Sequence, residues 1–152
     1  MQGHARDGTA HLCHTSCTLF DGGPVRDYLA RVKAFLDGNP NEVITILFTN
    51  PEELSVENYS HPAFLASGLA ELAFVPTNSP AEADDWPTLQ SLIDSGKRVV
   101  VFMDKGTNSA TVPICFPNSS ISPTVSWIQP FLAGSTVSVT TQSSICTSST
   151  IP

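Results

Sequence analysis

The chain has 152 residues, of which 14 are Asp or Glu and 7 are Lys or Arg, so its formal net charge is −7. Nucleic-acid binding depends on clustered Lys and Arg that displace counterions, so this acidic, scattered charge argues against a nucleic acid as partner. The sequence has no apolar run of about eighteen residues and no signal-peptide pattern at its start. We therefore expect a soluble chain with no transmembrane segment and no targeting sequence of its own.

The first predicted elements are a strand and a helix. Residues 11–14 predict a parallel strand that gives way to a loop at His14, the position from which α/β enzymes present catalytic groups. Apolar residues then recur at helical spacing from Val25 to Leu36, with charged residues on the other face. Pro24 suits the first helical turn, and Gly38 followed by a proline ends the helix.

The next elements alternate between strand and helix. Residues 43–49 are almost continuously apolar or β-branched, which predicts an interior, parallel strand. Residues 50–86 read as loop with short helical pieces, one of them around residues 62–67. A second helix is expected between Pro87 and Gly96, and a second buried strand over residues 99–103. This order predicts a parallel sheet, either open and doubly wound or part of a barrel.

The last third of the chain has a different composition. Residues 106–152 contain no charged side chain but 19 Ser or Thr. We therefore divide the chain into a domain over residues 1–114 and a Ser/Thr/Pro-rich tail over 115–152, disordered or unrelated to the domain. A glycosylated stalk and a mistranslated or truncated gene end remain alternatives for this tail.

The cysteines and glycosylation sequons bear on the cellular compartment. Cys13 and Cys17 lie four residues apart and either bridge each other or stay reduced, whereas Cys115 and Cys146 lie far downstream. Four cysteines allow three pairings that the sequence does not separate. Together with two Asn-x-Ser sequons, they favour a secreted protein.

Polar residues follow each of the three predicted strands. They are His14 after the first, Asn50 and Glu52 after the second, and Asp104 and Lys105 after the third. Because the carboxyl ends of parallel strands meet at one edge, we expect these side chains to converge there. The His14 imidazole would act as general acid or base.

Other interpretations of these residues are open. His14 could be a structural histidine, or it could join Cys13, Cys17 and His4 or His11 in a zinc site, which lacks the usual second Cys/His pair. We therefore predict no metal and no cofactor. The sequence has no glycine-rich phosphate loop and no Gly-x-Ser-x-Gly motif, which disfavours nucleotide binding and a serine nucleophile.

Several blocks over residues 1–114 occur in the order and spacing of a known family. They are Gln2-Gly3-His4, residues 12–17 (LCHTSC), residues 39–43 (NPNEV), Thr49-Asn50-Pro51 and residues 94–104 (DSGKRVVVFMD). In these blocks the chain resembles the fungal phospholipase C-like phosphodiesterases, relatives of the phosphatidylinositol-specific phospholipase C X domain. The resemblance implies a distorted TIM barrel, usually secreted, that cleaves a phosphodiester of the phospholipid head-group class.

The resemblance also implies roles for individual residues. His14 matches the histidine that protonates the leaving alcohol, while the family's other histidine belongs to a strand preceding Met1. Gln2 aligns near an arginine that clamps phosphate in bacterial relatives, and Thr49 stands where calcium-dependent relatives place a carboxylate, so a calcium site is not expected. A complete barrel needs about 250 residues. The chain therefore resembles an internal fragment.

The sequence thus predicts an α/β fold that is a partial, truncated TIM barrel followed by an irregular uncharged tail. The predicted function is that of a phosphoric diester hydrolase, impaired or inactive as a fragment, acting on a phosphodiester-containing small molecule or lipid head group. Its catalytic residue would be His14, and its phosphate pocket would comprise Gln2, His4, Asn50 and Asp104. The alternative is a non-catalytic secreted binding or wall-associated protein on the same scaffold.

Overall fold

A computed structural model describes residues 2–78 and 85–117. The predicted tail from residue 118 onward, including Cys146, lies outside the described residues. Strands and α-helices follow one another along the chain as β1 (Gly3–Arg6), β2 (Thr9–His14), β3 (Ser16–Pro24), α1 (Val25–Gly38), β4 (Ile44–Phe48), α2 (His61–Ala66), α3 (Leu89–Asp94), β5 (Val99–Met103) and β6 (Cys115–Pro117). A π-helical turn at Val56–Ser60 and a 3₁₀ turn at Ala70–Leu72 lie between β4 and α3.

The first three strands form an antiparallel sheet in the order β1-β2-β3. The turn between β1 and β2 consists of Asp7 (φ 50°) and Gly8 (φ 75°), and Arg6 pairs with Thr9 across it. Two consecutive residues with positive φ form a type I′ turn, whose twist matches the right-handed twist of the two strands that it joins in a hairpin. The strand that ends at His14 is therefore antiparallel, and our prediction of a parallel strand there is wrong.

The remaining strands form a parallel sheet in the order β4-β5-β6. β4 and β5 pair in register from Ile44↔Val99 to Phe48↔Met103, so their carboxyl ends lie side by side. The prediction of parallel strands here is confirmed. The central strand is β5, however, whereas β4 was expected to be interior and instead lies at the edge, where Leu47 remains 45% exposed. Cys115–Pro117, at the start of the predicted tail, pairs with β5 as strand β6.

Helix α1 confirms the helix predicted from the apolar spacing between Pro24 and Gly38. Its buried residues Val25, Leu29 and Leu36 face the core, as an amphipathic pattern requires. Two carbonyl groups at its end accept hydrogen bonds from one distant side chain, that of Arg98. Arg98 Nη1 donates to Leu36 O at 3.0 Å and to Asn39 O at 2.9 Å.

Both sheets contribute to one apolar core. Ala10 of β2, Leu29 of α1, and Phe48 and Val101 of the parallel sheet belong to the same buried cluster. β1 approaches this core closely because residue 3 is glycine, where a Cβ would overlap the Phe48 ring. Alternate residues of a strand point to opposite faces. The other face of the central strand β5 is accordingly covered by a second cluster.

The second cluster involves the α3 region. Trp86 lies between Phe74 and Phe102, with ring centroids 5.8 and 5.7 Å apart, and Leu92 of α3 packs against Val100. The central strand β5 is thus covered on both faces, whereas Thr45 and Leu47 on the second face of the edge strand β4 remain exposed. The helices predicted around residues 62–67 and between Pro87 and Gly96 are confirmed by α2 and α3.

The predicted truncated TIM barrel is wrong. In the described residues the strands form two separate three-stranded sheets, one of them antiparallel, and neither sheet closes. The sheets adjoin at one isolated bridge, between Gln2 and Thr49. The Asp7-Gly8 turn reverses the chain after four residues of β1, so β2 returns antiparallel and no helical crossover separates the two strands. Within the described ranges, no helix has the length and apolar character needed to cross a membrane.

Candidate functional site

His14 lies at the tip of the β2–β3 hairpin, with an exposed side chain. A disulfide joins Cys13 to Cys17, with their Cα atoms 4.9 Å apart, so it encloses the tip. Because Cys13 and Cys17 are joined in a disulfide, neither sulfur is a thiolate that could ligate zinc. At the centre of the tip, Thr15 has a φ of 64°, which is unfavourable for a β-branched residue by about 1–3 kcal/mol. Its Oγ1 lies 3.0 Å from Nδ1 of His14.

Gln2 connects this tip to the parallel sheet. Its backbone carbonyl accepts a hydrogen bond from Cys13 N at 3.1 Å, and its side-chain Oε1 accepts one from Thr15 N at 3.0 Å. Gln2 also forms the bridge to Thr49, immediately beyond β4. The carboxamide oxygen of Gln2 is therefore engaged by the hairpin, while its amide nitrogen retains two N–H donors.

Asn50 and Asp104 come together beyond the ends of β4 and β5. The backbone N–H of Asn50 donates to Asp104 Oδ1 at 2.7 Å. The Asn50 side chain, 1% exposed, donates from Nδ2 to Leu54 O at 2.9 Å and to Lys105 O at 3.2 Å, and its Oδ1 accepts from Leu54 N at 3.0 Å. Both side-chain N–H groups are thus engaged in joining the two loops.

His4 forms a hydrogen bond with Glu52 that the sequence did not predict. His4 is 6% exposed, and its Nδ1 lies 2.7 Å from Glu52 Oε1, while Ala5 N donates to Glu52 Oε2 at 3.0 Å. These hydrogen bonds, the one from Ala5 foremost, hold the pKa of the Glu52 carboxyl below its usual value. Because Nδ1 faces a carboxylate, it carries the ring proton. His4 Nε2 is buried without a partner among the described residues.

A second histidine–carboxylate pair was also missed. His11 Nδ1 lies 3.0 Å from Asp21 Oδ1, and Arg6 Nη1 donates to Asp21 Oδ2 at 2.6 Å. The hydrogen bonds from His11 and from Gly23 N lower the pKa of Asp21. The Asp7-Gly8 dipeptide was the available signal, because a hairpin centred there places His4 directly opposite His11.

The loop after β5 is held by Glu57. This carboxylate accepts hydrogen bonds from Thr111 Oγ1, from Asn108 Nδ2 at 3.1 Å and from Ser55 Oγ at 2.8 Å. These contacts, that of Thr111 foremost, lower the pKa of Glu57 to about 2. Lys105, predicted at the same edge, forms an exposed ion pair with Glu53 at 3.0 Å.

The structure therefore brings the predicted residues together as three local groups. His14 and Gln2 meet through Thr15, Asn50 meets Asp104, and His4 is held by Glu52. The first two groups adjoin, since Gln2 bridges Thr49. Over residues 2–78 and 85–117, no three His, Cys, Asp or Glu side chains are grouped so that they could hold a metal ion.

These features define an α/β domain whose polar side chains gather where its strands end, the usual location of a ligand site in such sheets. The family model described as PI-PLC X matches residues 1–121. The chain belongs to the PI-PLC X domain family, which makes it a relative of the phospholipases C and confirms the resemblance identified in its sequence blocks.

Two similar proteins come from the fungus Arthroderma benhamiae. One, named PI-PLC X domain-containing protein 1, is 41% identical over 107 residues, which is 70% of this chain and 35% of that protein. The other, named an uncharacterized secreted protein, is 41% identical over 113 residues, which is 74% of this chain and 25% of that protein.

A PI-PLC X domain-containing protein of Arabidopsis thaliana is 31% identical over 101 residues, covering 60% of this chain and 22% of that protein. The chain thus spans about a quarter to a third of the length of the curated relatives that it matches. No solved structure matches it significantly.

Proposed function

We propose that the chain carries part of the site of a phosphoric diester hydrolase that acts on a phospholipid or glycerophosphodiester. The supporting observation is the exposed His14 imidazole, held at a disulfide-bridged tip beside Gln2 in a chain of the PI-PLC X family. With Nδ1 at the Thr15 hydroxyl, Nε2 is the nitrogen that would exchange a proton with substrate.

In the proposed step, the oxygen of water or of a substrate hydroxyl attacks phosphorus and forms the new phosphorus–oxygen bond, and its proton passes to a base that this part of the site does not supply. Protonated His14 donates its Nε2 proton to the leaving alcohol oxygen as the old phosphorus–oxygen bond breaks. Proton donation of this kind contributes about 10² to 10⁴ in rate. The amide N–H groups of Gln2 would donate to a phosphate oxygen, since only its Oε1 is held by the hairpin. The step uses no metal ion and no cofactor.

The other pocket residues are proposed to shape the site. Asn50 would fix the loops after β4 and β5, and the exposed Asp104 would line the pocket. His4, held by Glu52, would anchor β1 next to that edge. The hydrogen bonds that Asn50 and His4 make support these roles.

We further propose an extracellular location. A disulfide such as Cys13–Cys17 persists in oxidising compartments and is rare in the cytosol. One of the similar fungal proteins is named as secreted. Both observations agree with the location expected for the family.

The test compares His14→Ala with His61→Ala, a matched control outside the proposed site. Turnover is followed by ³¹P NMR on phosphatidylinositol vesicles and on glycerophosphoinositol. We expect at least about 10²-fold lower turnover in His14→Ala and unchanged turnover in His61→Ala. Undiminished turnover in His14→Ala would show that the proposed role of His14 is wrong.

A second candidate is a non-catalytic secreted binding protein on the same scaffold. It is favoured by the neutral Gln2 at the position where the resemblance implies a phosphate-clamping arginine, because an amide supplies no positive charge to the phosphate. Vesicle binding without any phosphate product from either substrate, both by the wild-type chain and by a version extended with the strand that carries the family's other histidine, would support this candidate against the hydrolase.

A further inference from the structure

The three histidines of the N-terminal sheet differ in the partner of Nδ1. His4 faces Glu52 at 2.7 Å and His11 faces Asp21 at 3.0 Å, whereas His14 faces the Thr15 hydroxyl at 3.0 Å. An ionised carboxylate can only accept a hydrogen bond, so the Nδ1 that faces it must carry a proton. A hydroxyl can accept or donate.

This difference matters for a ring that must gain and lose a proton. When His14 is an imidazolium, its Nδ1–H donates to Thr15 Oγ1. When the ring is neutral with its proton on Nε2, the hydroxyl rotates and donates to Nδ1. The contact therefore persists in both protonation states, and the ring keeps one orientation while Nε2 stays available.

The backbone around Thr15 is held in the conformation that this contact needs. Thr15 has a φ of 64°, in the left-handed region that a β-branched residue rarely adopts. Two tethers maintain it, namely the Cys13–Cys17 disulfide on either side of the tip and the hydrogen bond from Thr15 N to Gln2 Oε1 at 3.0 Å. Glycine would satisfy this backbone without strain, so the presence of threonine implies a use for its side chain.

We infer that Thr15 is a positioning residue for His14, one that orients the imidazole through its hydroxyl and reserves Nε2 for proton transfer to the substrate. The inference rests on the proposed function, since it assigns to Thr15 a role that acts through His14. It also changes the role of Gln2, whose carboxamide oxygen would serve the hairpin tip while its amide nitrogen serves the phosphate.

The first test observes the ring directly and needs no turnover. The chain is labelled with ¹⁵N-histidine, and loss of one signal set in His14→Ala assigns His14. We expect Thr15→Val and Thr15→Gly to shift the Nδ1 resonance of His14. Thr15→Ser, which keeps the hydroxyl, and Thr18→Val, a matched exposed control on β3, should preserve it. An unshifted resonance in Thr15→Val and Thr15→Gly would overturn the inference.

The glycine variant separates positioning from backbone structure. If Thr15 served only the turn, Thr15→Gly would be as stable as wild type and as active. We expect it instead to keep its stability and to lose about 10- to 100-fold in kcat with KM little changed, because the ring is no longer held. Thr15→Ser should retain most of the wild-type kcat.

The outcomes distinguish the inference from the proposed function. Loss of turnover in His14→Ala, together with wild-type kcat in Thr15→Val and Thr15→Gly, would overturn the inference alone. Undiminished turnover in His14→Ala would end the proposed role of His14 and the inference with it.

Discussion

Asn50→Ala tests whether the amide between the two loops stabilises the fold. The substitution removes three side-chain hydrogen bonds, those to Leu54 O, Lys105 O and Leu54 N, at a position that is 1% exposed. At roughly 0.5–1.5 kcal/mol net for each bond, we expect the free energy of unfolding to fall by about 2–4 kcal/mol. Leu54 and Lys105 would be left with unpaired polar groups, which places the effect toward the upper end.

Asn50→Asp refines this test. The replacement keeps the shape but turns the donor Nδ2 into an oxygen, which would face the carbonyl oxygens of Leu54 and Lys105. Acceptors then oppose acceptors and a carboxylate is buried, so we expect a loss at least as large as that in Asn50→Ala. Stability is measured by urea unfolding followed by circular dichroism.

Asn41→Ala is the matched control, because Asn41 is exposed in the loop before β4. A surface substitution of this kind usually changes stability by less than about 0.5 kcal/mol. If Asn50→Ala and the control lowered the free energy of unfolding equally, the reasoning from the hydrogen bonds would be refuted. If Asn50 only contacted substrate, Asn50→Ala would change stability as little as the control does and would raise KM.

Three further predictions concern a close approach, a carboxylate and a thiol. Gly106→Ala is expected to destabilise the chain by more than about 1 kcal/mol, because φ is 75° and a Cβ would lie 2.8 Å from Asn50 Nδ2. In the control Gly38→Ala the new Cβ meets no atom within 4 Å, so this variant should be neutral or stabilising. Equal effects of the two substitutions in urea unfolding would contradict this. The Glu57 carboxyl has its pKa lowered from 4.5 to about 2, so its stabilising contribution is complete above pH 4.5 and is lost as the pH falls through about 2. Glu57→Gln should therefore flatten the acid side of the stability–pH curve over that range, and parallel curves would refute the assignment. Burial raises the pKa of the Cys115 thiol to about 12. Peptide mapping after treatment with iodoacetamide at pH near 8 should therefore find this cysteine unmodified in the native chain and modified in denaturant. Ready modification in the native chain would contradict its burial.

The elements that the sequence predicted well are those with a local signal. Helix α1 repeats apolar residues at helical spacing between Pro24 and Gly38, and β5 is an unbroken apolar run. The proximity of Asn50 and Asp104 follows from such signals as well, since parallel strands in register end side by side.

The N-terminal sheet lacks a signal of that strength. β1 and β2 carry His4, Arg6 and His11 among their apolar residues, and these polar side chains obscure the alternation. The direction of β2 depends on the turn at Asp7-Gly8. A prediction that assumes parallel strands does not look for a tight hairpin turn at this dipeptide. Once β2 was taken as parallel, the alternation of strands and helices allowed an open sheet or a barrel, and the family resemblance then favoured the barrel.

The pairing of His4 with Glu52 could not be predicted from spacing. The two residues are 48 positions apart, and their contact depends on how β1 lies against the loop after β4. Thr15 illustrates the same limit at short range, because its left-handed backbone results from the disulfide and from Gln2 together.

Arg98 has a consequence for the order in which the chain acquires structure. Its guanidinium binds carbonyl groups 62 and 59 positions earlier, at the end of α1. During synthesis the helix leaves the ribosome well before Arg98 does, and until then the only donors that the described part of the folded chain offers these carbonyl groups are the nearby backbone groups Asn39 N and Glu42 N, at 3.3 and 3.2 Å. The last turn of α1 and the first residues of β5 should therefore become protected from hydrogen exchange together, as one cooperative unit.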